Sequence, residues 1–156
     1  MTWITNLLFG LFLQAPAQLP APVPVERVIV GLTDGQQVVI ENPEFTGFIQ
    51  GHSAEAILTY RRQNIHGQMS TRTISRIDFG RYQRERPFSL IVTLKDGQKV
   101  ELEAERDNFL TLKGKTDLGT VLIKHPDPVN APLRLSTKKP DRKNNLTIQY
   151  LEFTSP

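Results

Sequence analysis

Seven arginines are concentrated between residues 61 and 86, and they are the side chains whose type and spacing best fit a chemical role. Seven arginines less two acids give this stretch a net charge of +5. Because a guanidinium forms paired hydrogen bonds with phosphate and carboxylate groups, the cluster predicts a binding module for anionic ligands. The predicted binding residues are Arg61, Arg62, Arg72 and Arg76, with Tyr60 and Tyr82 as rings for stacking.

The competing interpretation is structural, and the sequence favours it. Residues 26–58 carry five acids and one arginine, for a net charge of −4. The arginines are then expected to form a solvated strand face whose charges pair with those acids.

The sequence contains no motif that would assemble a catalytic or metal centre. There is no cysteine, no nucleophile elbow, no P-loop and no dinucleotide-binding glycine pattern. His52, His66 and His125 do not have metal-ligand spacing, and we expect surface or loop positions for them. We therefore predict no catalytic residue, no metal and no cofactor, and a protein that is not an enzyme.

An internal repeat organises the rest of the chain. Residues 28–41 (VIVGLTDGQQVVIE) and 90–103 (LIVTLKDGQKVELE) match at eight of fourteen positions. The two copies also close alike, with TISRIDF at residues 73–79 and TIQYLEF at residues 147–153. The predicted units are residues 26–86, which include a trailing linker, and residues 87–156.

Each copy contains an Asp-Gly pair between alternating segments, which is a strong hairpin signal. A three-residue loop gives the cleanest apolar face, and it requires positive φ at Gly35 and Gly97, after the turn residues Asp34 and Asp96. The predicted cross-strand pairs are Val28 with Ile40, Val30 with Val38, Leu90 with Leu102, and Val92 with Val100.

The middle segments, residues 56–62 and 119–124, contain β-branched and aromatic residues and predict further strands. A helix over residues 54–62 is the alternative. The class is therefore all-β, with two tandem copies of a hairpin-based unit forming small barrels or one two-sheet sandwich. In strand order each unit resembles the Sm-like small barrels, in which a hairpin precedes further short strands. No functional residue is carried over from that family.

The N-terminal residues are typical of an export signal. Residues 1–25 lack charge, and residues 3–13 form an apolar block of the length found in signal peptides. We predict a signal peptide or anchor at residues 1–17, with cleavage after Ala17, and a Pro-rich linker at residues 18–25. The alternatives are an uncleaved membrane anchor at residues 3–13 and a core element of a cytosolic protein.

These observations predict an exported or envelope-anchored protein that is a non-catalytic interaction or structural module. The second hypothesis is a module for anionic ligands, namely lipid head groups, envelope polymer or, in a cytosolic chain, nucleic acid. A third is an envelope hydrolase with carboxylates of both units in one cleft. The partner is unknown, and another protein or a homodimer through an edge strand would fit.

Overall fold

The computed structural model describes residues 26–80, 87–105, 109–125 and 148–154, and these residues form an all-β fold, as predicted. Two short 3₁₀ helices, Ser53–Glu55 and Thr71–Thr73, interrupt the strands. Within the described ranges, no helix has the length and hydropathy needed to cross a membrane. The strands are β1 (Arg27–Leu32), β2 (Gln37–Gly47), β3 (Ile49–His52), β4 (Ile57–Arg62), β5 (Ile65–Ser70), β6 (Ile74–Phe79), β7 (Ser89–Leu94), β8 (Lys99–Ala104), β9 (Leu110–Thr116), β10 (Gly119–His125) and β11 (Ile148–Thr154).

The two Asp-Gly hairpins, β1–β2 and β7–β8, have the predicted loops. Gly35 and Gly97 have φ values of 87° and 88°, in the left-handed region that favours glycine. The Oδ1 atoms of Asp34 and Asp96 each accept a hydrogen bond from the backbone N–H two residues later, at 3.0 and 2.9 Å. The turn therefore accounts for both aspartates. All four predicted pairs are confirmed: Val28 with Ile40, Val30 with Val38, Leu90 with Leu102, and Val92 with Val100.

Eight strands close into a barrel in the order β1-β11-β6-β7-β8-β4-β3-β2, and the pairing of β2 with β1 completes the ring. The halves of the chain share this barrel because the first strand of each half pairs with the last strand of the other half. β1 pairs with β11, and β7 pairs with β6. The structure therefore differs from both expected architectures, two separate small barrels and a two-sheet sandwich.

A single apolar core fills the barrel. The inward residues of the first hairpin in each half, such as Val28, Val30, Leu90 and Val92, have no exposed surface. Phe48 is also fully buried and packs its ring 5.8 Å from that of Phe88, centroid to centroid. These side chains point inward because successive residues of a strand face opposite sides of the sheet, which leaves Ile91, between Leu90 and Val92, on the outer face.

Three strands lie outside the barrel, and the long strand β2 explains how two of them attach. Residues 37–41 of β2 pair with β1, residues 44–45 pair with β3, and β9 pairs with β2 between residues 41 and 47. The register of β2 with β9 shifts between Glu41 and Glu44, where Asn42 has a φ of 49°. β10 then extends the sheet beyond β9, and on the other side β5 extends it beyond β4.

The middle segments are strands, as predicted. Residues 57–62 form β4 and residues 119–125 form β10, so the helical alternative for residues 54–62 is wrong beyond the single 3₁₀ turn at Ser53–Glu55. The predicted signal segment at residues 1–17, the linker at residues 18–25 and Tyr82 lie outside the described residues.

Candidate functional site

Arg61, on β4, forms an ion pair with a residue of the neighbouring strand. Its Nε and Nη2 atoms donate to Oε2 of Glu103 on β8, at 3.1 and 2.7 Å. The two residues are directly opposite in the register of β4 with β8, so the strand pairing itself holds the ion pair. The positive charge of Arg61 is therefore balanced within the chain.

Arg76, on β6, is the centre of a second charge cluster. Its Nε and Nη2 atoms donate to Oδ1 of Asp78 at 2.9 and 2.8 Å, and its Nη1 lies 3.9 Å from Oε2 of Glu152. The guanidinium carbon lies 3.7 Å from the centroid of the Tyr150 ring, which adds a cation–π contact. The hydrogen bond with Asp78 raises the pKa of Arg76 above its ordinary value. Two carboxylates and a ring thus surround this cation.

The Arg76 cluster lines an open groove of about 530 Å³. Asp78 and Glu152 come from different halves of the chain and line the same groove, together with Thr93 and Lys99. Both carboxylates contact one guanidinium. The arrangement is that of an ion-pair network.

The other residues predicted for an anionic ligand are dispersed. Arg72 lies 3.8 Å from Glu55, one of the acids of residues 26–58. Arg62 is exposed, forms no ion pair with any described residue, and lines a groove of about 320 Å³ beside Arg61. Tyr60 packs against the core, over Gly67 of β5. The structure therefore does not gather the four arginines into one pocket.

Unpaired positive charge instead lies on the β9–β10 hairpin. Lys113, Lys115 and Lys124 are exposed and form no ion pair with any residue in the described ranges. All three point to the outer face of the hairpin, because alternation places Leu112 and Ile123 on the buried face. The sequence prediction missed this set because its lysines are spread over two strands.

Exposed apolar side chains accompany these lysines. Six large hydrophobic side chains are exposed among the described residues, and three of them belong to this hairpin or its approach. They are Phe109, Leu118 and Leu122, with exposed fractions of 41, 94 and 38%. Leu122 lies directly opposite Lys113 in the register of β10 with β9. We use the name β10 edge for the open side of β10 together with the exposed residues of this surface, which are Phe109, Lys113, Lys115, Leu118, Leu122 and Lys124.

The buried face of the same hairpin ends at His125, which corrects the expectation of a surface or loop histidine. His125 is 3% exposed, and its ring lies 4.8 Å from that of Phe79 and 4.7 Å from that of Phe88, centroid to centroid. Neither ring nitrogen has a hydrogen-bond partner among the described residues. Burial lowers the pKa of His125 from 6.5 to about 4. His52 and His66 are exposed, as expected.

Comparisons with known proteins identify no relative. The chain matches no protein-family model, no curated protein and no solved structure. In the part of the chain that the structure describes, no group of three or more His, Cys, Asp or Glu side chains could hold a metal ion.

Proposed function

We propose that the chain is an exported, non-catalytic interaction module that binds its partner through the β10 edge. The observation that carries the proposal is the position of β10. It lies outside the closed barrel, it pairs only with β9 among the described strands, and its hairpin carries unpaired lysines beside exposed leucines. Open strand edges and contiguous exposed apolar residues are typical of interaction sites.

Export is the second part of the proposal, and the uncharged, apolar N-terminal sequence supports it. Expression of the full chain in a bacterial host, followed by cell fractionation and intact-mass measurement, tests this part. We expect an envelope or periplasmic species that begins at Gln18. A full-length cytosolic species would contradict export.

The binding role of the β10 edge is tested by placing a photo-crosslinking residue at position 122 in cells that express the chain. The matched control carries the same residue at position 65 on β5, another strand outside the barrel, where Ile65 is 67% exposed. We expect a discrete crosslinked partner from position 122 and none from position 65. Equal crosslinking from both positions would contradict a binding role specific to β10.

We further propose that the module is a duplicated β unit whose copies exchange their closing strands. The repeated sequence supports this, and so do the registers, because equivalent residues of the two copies form equivalent pairs across β6–β7 and β11–β1. The pair Phe79–Leu90 of β6–β7 corresponds to Phe153–Val28 of β11–β1. In the same way, Ile77–Val92 corresponds to Leu151–Val30, and Asp78–Ile91 corresponds to Glu152–Ile29.

The contact between the closing strands has the same symmetry. Ile77 lies opposite Leu151, its equivalent, so a local two-fold axis would pass between them. The outward positions also correspond, since Glu103 of β8 faces Arg61 of β4 while its equivalent Glu41 of β2 faces Lys115 of β9.

Expression of residues 26–86 and 87–156 as two chains should give one folded complex and two unfolded isolated halves, as judged by circular dichroism. An isolated half that folds stably would contradict strand exchange.

The anionic-ligand hypothesis retains one observation in its favour, which is the exposed and unpaired Arg62 beside the 320 Å³ groove. If this groove binds anions, Arg62→Ser should weaken binding to anionic vesicles, while Lys124→Ser should leave that binding unchanged. The opposite result would assign anion binding to the β10 edge and remove the arginine groove from consideration.

A further inference from the structure

We infer that the partner of the β10 edge is an acidic polypeptide segment that binds in an extended conformation and adds a strand to β10. The inference rests on the proposed function and specifies its partner. The backbone edge, the charge and the exposed leucines of the hairpin each restrict the chemistry of that partner, and they agree on this class.

The backbone of β10 presents a preformed edge. β9 occupies one side of the strand, and no described strand occupies the other. Ile123 and Leu112 are fully buried, so the inner face of the hairpin is held against the barrel core. A rigid edge offers unpaired N–H and C=O groups in the geometry that an added strand requires, at little entropic cost.

The charges beside this edge require an acidic strand. An added strand would lie directly opposite Thr120, Leu122 and Lys124, whose side chains share the outer face. β9 would be about 10 Å from the added strand, two strand spacings away, so Lys113 and Lys115 could meet the ends of long acidic side chains. Glu41 and Glu44, which lie opposite Lys115 and Lys113 in the register, are on β2, on the far side of β9 from the open edge.

A second copy of this chain fits the edge poorly. Antiparallel pairing of β10 with another β10 would collect the three lysines of each copy on one four-stranded face, without an acid on either central strand. Like charges on one sheet face oppose pairing. β5, which also lies outside the barrel and pairs only with β4 among the described strands, contains no acidic residue that could compensate the lysines.

A phosphate polymer or a lipid head group would use the lysines alone. Leu118 and Leu122 add apolar contact area, and the open backbone adds hydrogen bonds, and an extended polypeptide can use both. Apolar side chains on the added strand, next to Leu122, would be removed from water on binding. The combination therefore favours a segment in which acidic and apolar residues occur together.

The test measures binding of the full chain to a synthetic peptide, about nine residues long, in which Glu and Val take turns at every second position with Thr between them, so that Glu and Val both lie on the face shared with Leu122 and Lys124. Fluorescence polarisation gives the affinity at low and at physiological salt. We expect binding in the micromolar range that weakens with salt. Replacement of Lys113, Lys115 and Lys124 by Gln should weaken it by about tenfold or more. A peptide of the same length with Lys in place of Glu should not bind.

Matched variants distinguish binding at the β10 edge from nonspecific attraction of the acidic peptide to any exposed positive charge. Lys99→Gln removes an exposed lysine of β8 that has no ion pair in the described residues, and Arg62→Gln removes the free arginine of β4. Both should bind the peptide like the wild type. Leu122→Asp should abolish binding, while Ile65→Asp on β5 should not. Each variant is first shown to be folded by its circular dichroism spectrum.

The possible failures are distinguishable. Salt-dependent binding of phosphatidylglycerol vesicles through the three lysines, without peptide binding, would overturn the polypeptide partner and leave the β10 edge as a binding surface. Self-association of the full chain that Leu122→Asp abolishes would replace the acidic segment, as the partner of the β10 edge, by a second copy of this chain. If the lysine and Leu122 variants change neither peptide binding, vesicle binding nor self-association, and the photo-crosslinking residue at position 122 captures no partner, the proposed function itself is wrong.

Discussion

Protonation of His125 should destabilise the fold, and replacement of this residue should remove the effect. The imidazole is 3% exposed and lies between two phenylalanine rings, and its nitrogens have no hydrogen-bond partner in the described residues. The neutral ring is tolerated there, but a charged ring would lose its hydration without gaining a partner. Burial accordingly lowers the pKa of His125 from 6.5 to about 4.

The sign and size of the change in stability follow from the different proton uptake of His125 in the folded and unfolded chain. Because the unfolded chain takes up the proton at higher pH than the folded chain, the stability associated with neutral His125 is complete above pH 6.5 and declines as the pH falls towards 4. The gap between 6.5 and about 4, at about 1.4 kcal/mol for each pH unit, amounts to about 3 kcal/mol in total. About 2 kcal/mol of this should already be lost at pH 5.

The assay is urea unfolding of the wild type and of His125→Leu between pH 7 and pH 4.5. Leucine has a similar volume and no polar atom, so at pH 7 the variant should be equally stable or up to about 2 kcal/mol more stable. The difference in the free energy of unfolding should then grow by about 2 kcal/mol at pH 5. His52→Leu, at an exposed position, is the control and should follow the wild type. If wild type and His125→Leu lose stability in parallel, the reasoning is refuted.

Two further substitutions test the hairpin and the charge cluster. Gly97→Ala should lower the free energy of unfolding by about 1 kcal/mol, because the φ of residue 97 is +88°. No atom lies within 4 Å of the added methyl group, so the cost is backbone strain alone. An unchanged denaturation midpoint would contradict the left-handed turn. Arg76→Met should lower it by about 1 kcal/mol or less, and by less at high salt, because it leaves two carboxylates together and removes the contact with Tyr150. Arg62→Met is the control, because Arg62 has no ion pair with any described residue, and it should change the free energy of unfolding little. Equal effects of the two substitutions would exclude a specific role for the cluster.

The local features of the fold were predictable from the sequence. The Asp-Gly loops and the registers of β1–β2 and β7–β8 depend on residues close together in the chain, and a shift by one residue would have placed charged side chains on the core face. His125 could have been assigned to the core by the same argument, since it shares the parity of Val121 and Ile123 on β10.

The pairing of strands between the halves was not predictable in this way. β1 with β11 and β7 with β6 are equally compatible with the alternation as pairings within each half, and the sequence pattern does not distinguish them. The ion pairs that the arginines form depend on these long-range strand pairings. Arg61 meets Glu103 only because β4 lies beside β8, so the arginines predicted as an anion site are largely engaged in ion pairs.

Amide hydrogen exchange of the full chain, with and without the Glu–Val peptide, shows whether an extended segment adds a strand to β10. In the free chain, alternate amides of residues 119–125 should exchange rapidly, because their N–H groups point away from β9. Bound peptide should slow exchange of these amides and leave the amides of β5 and of the 320 Å³ groove beside Arg62 unchanged. Protection confined to β5 or to that groove, or no protection of residues 119–125 at saturating peptide, would rule out strand addition to β10.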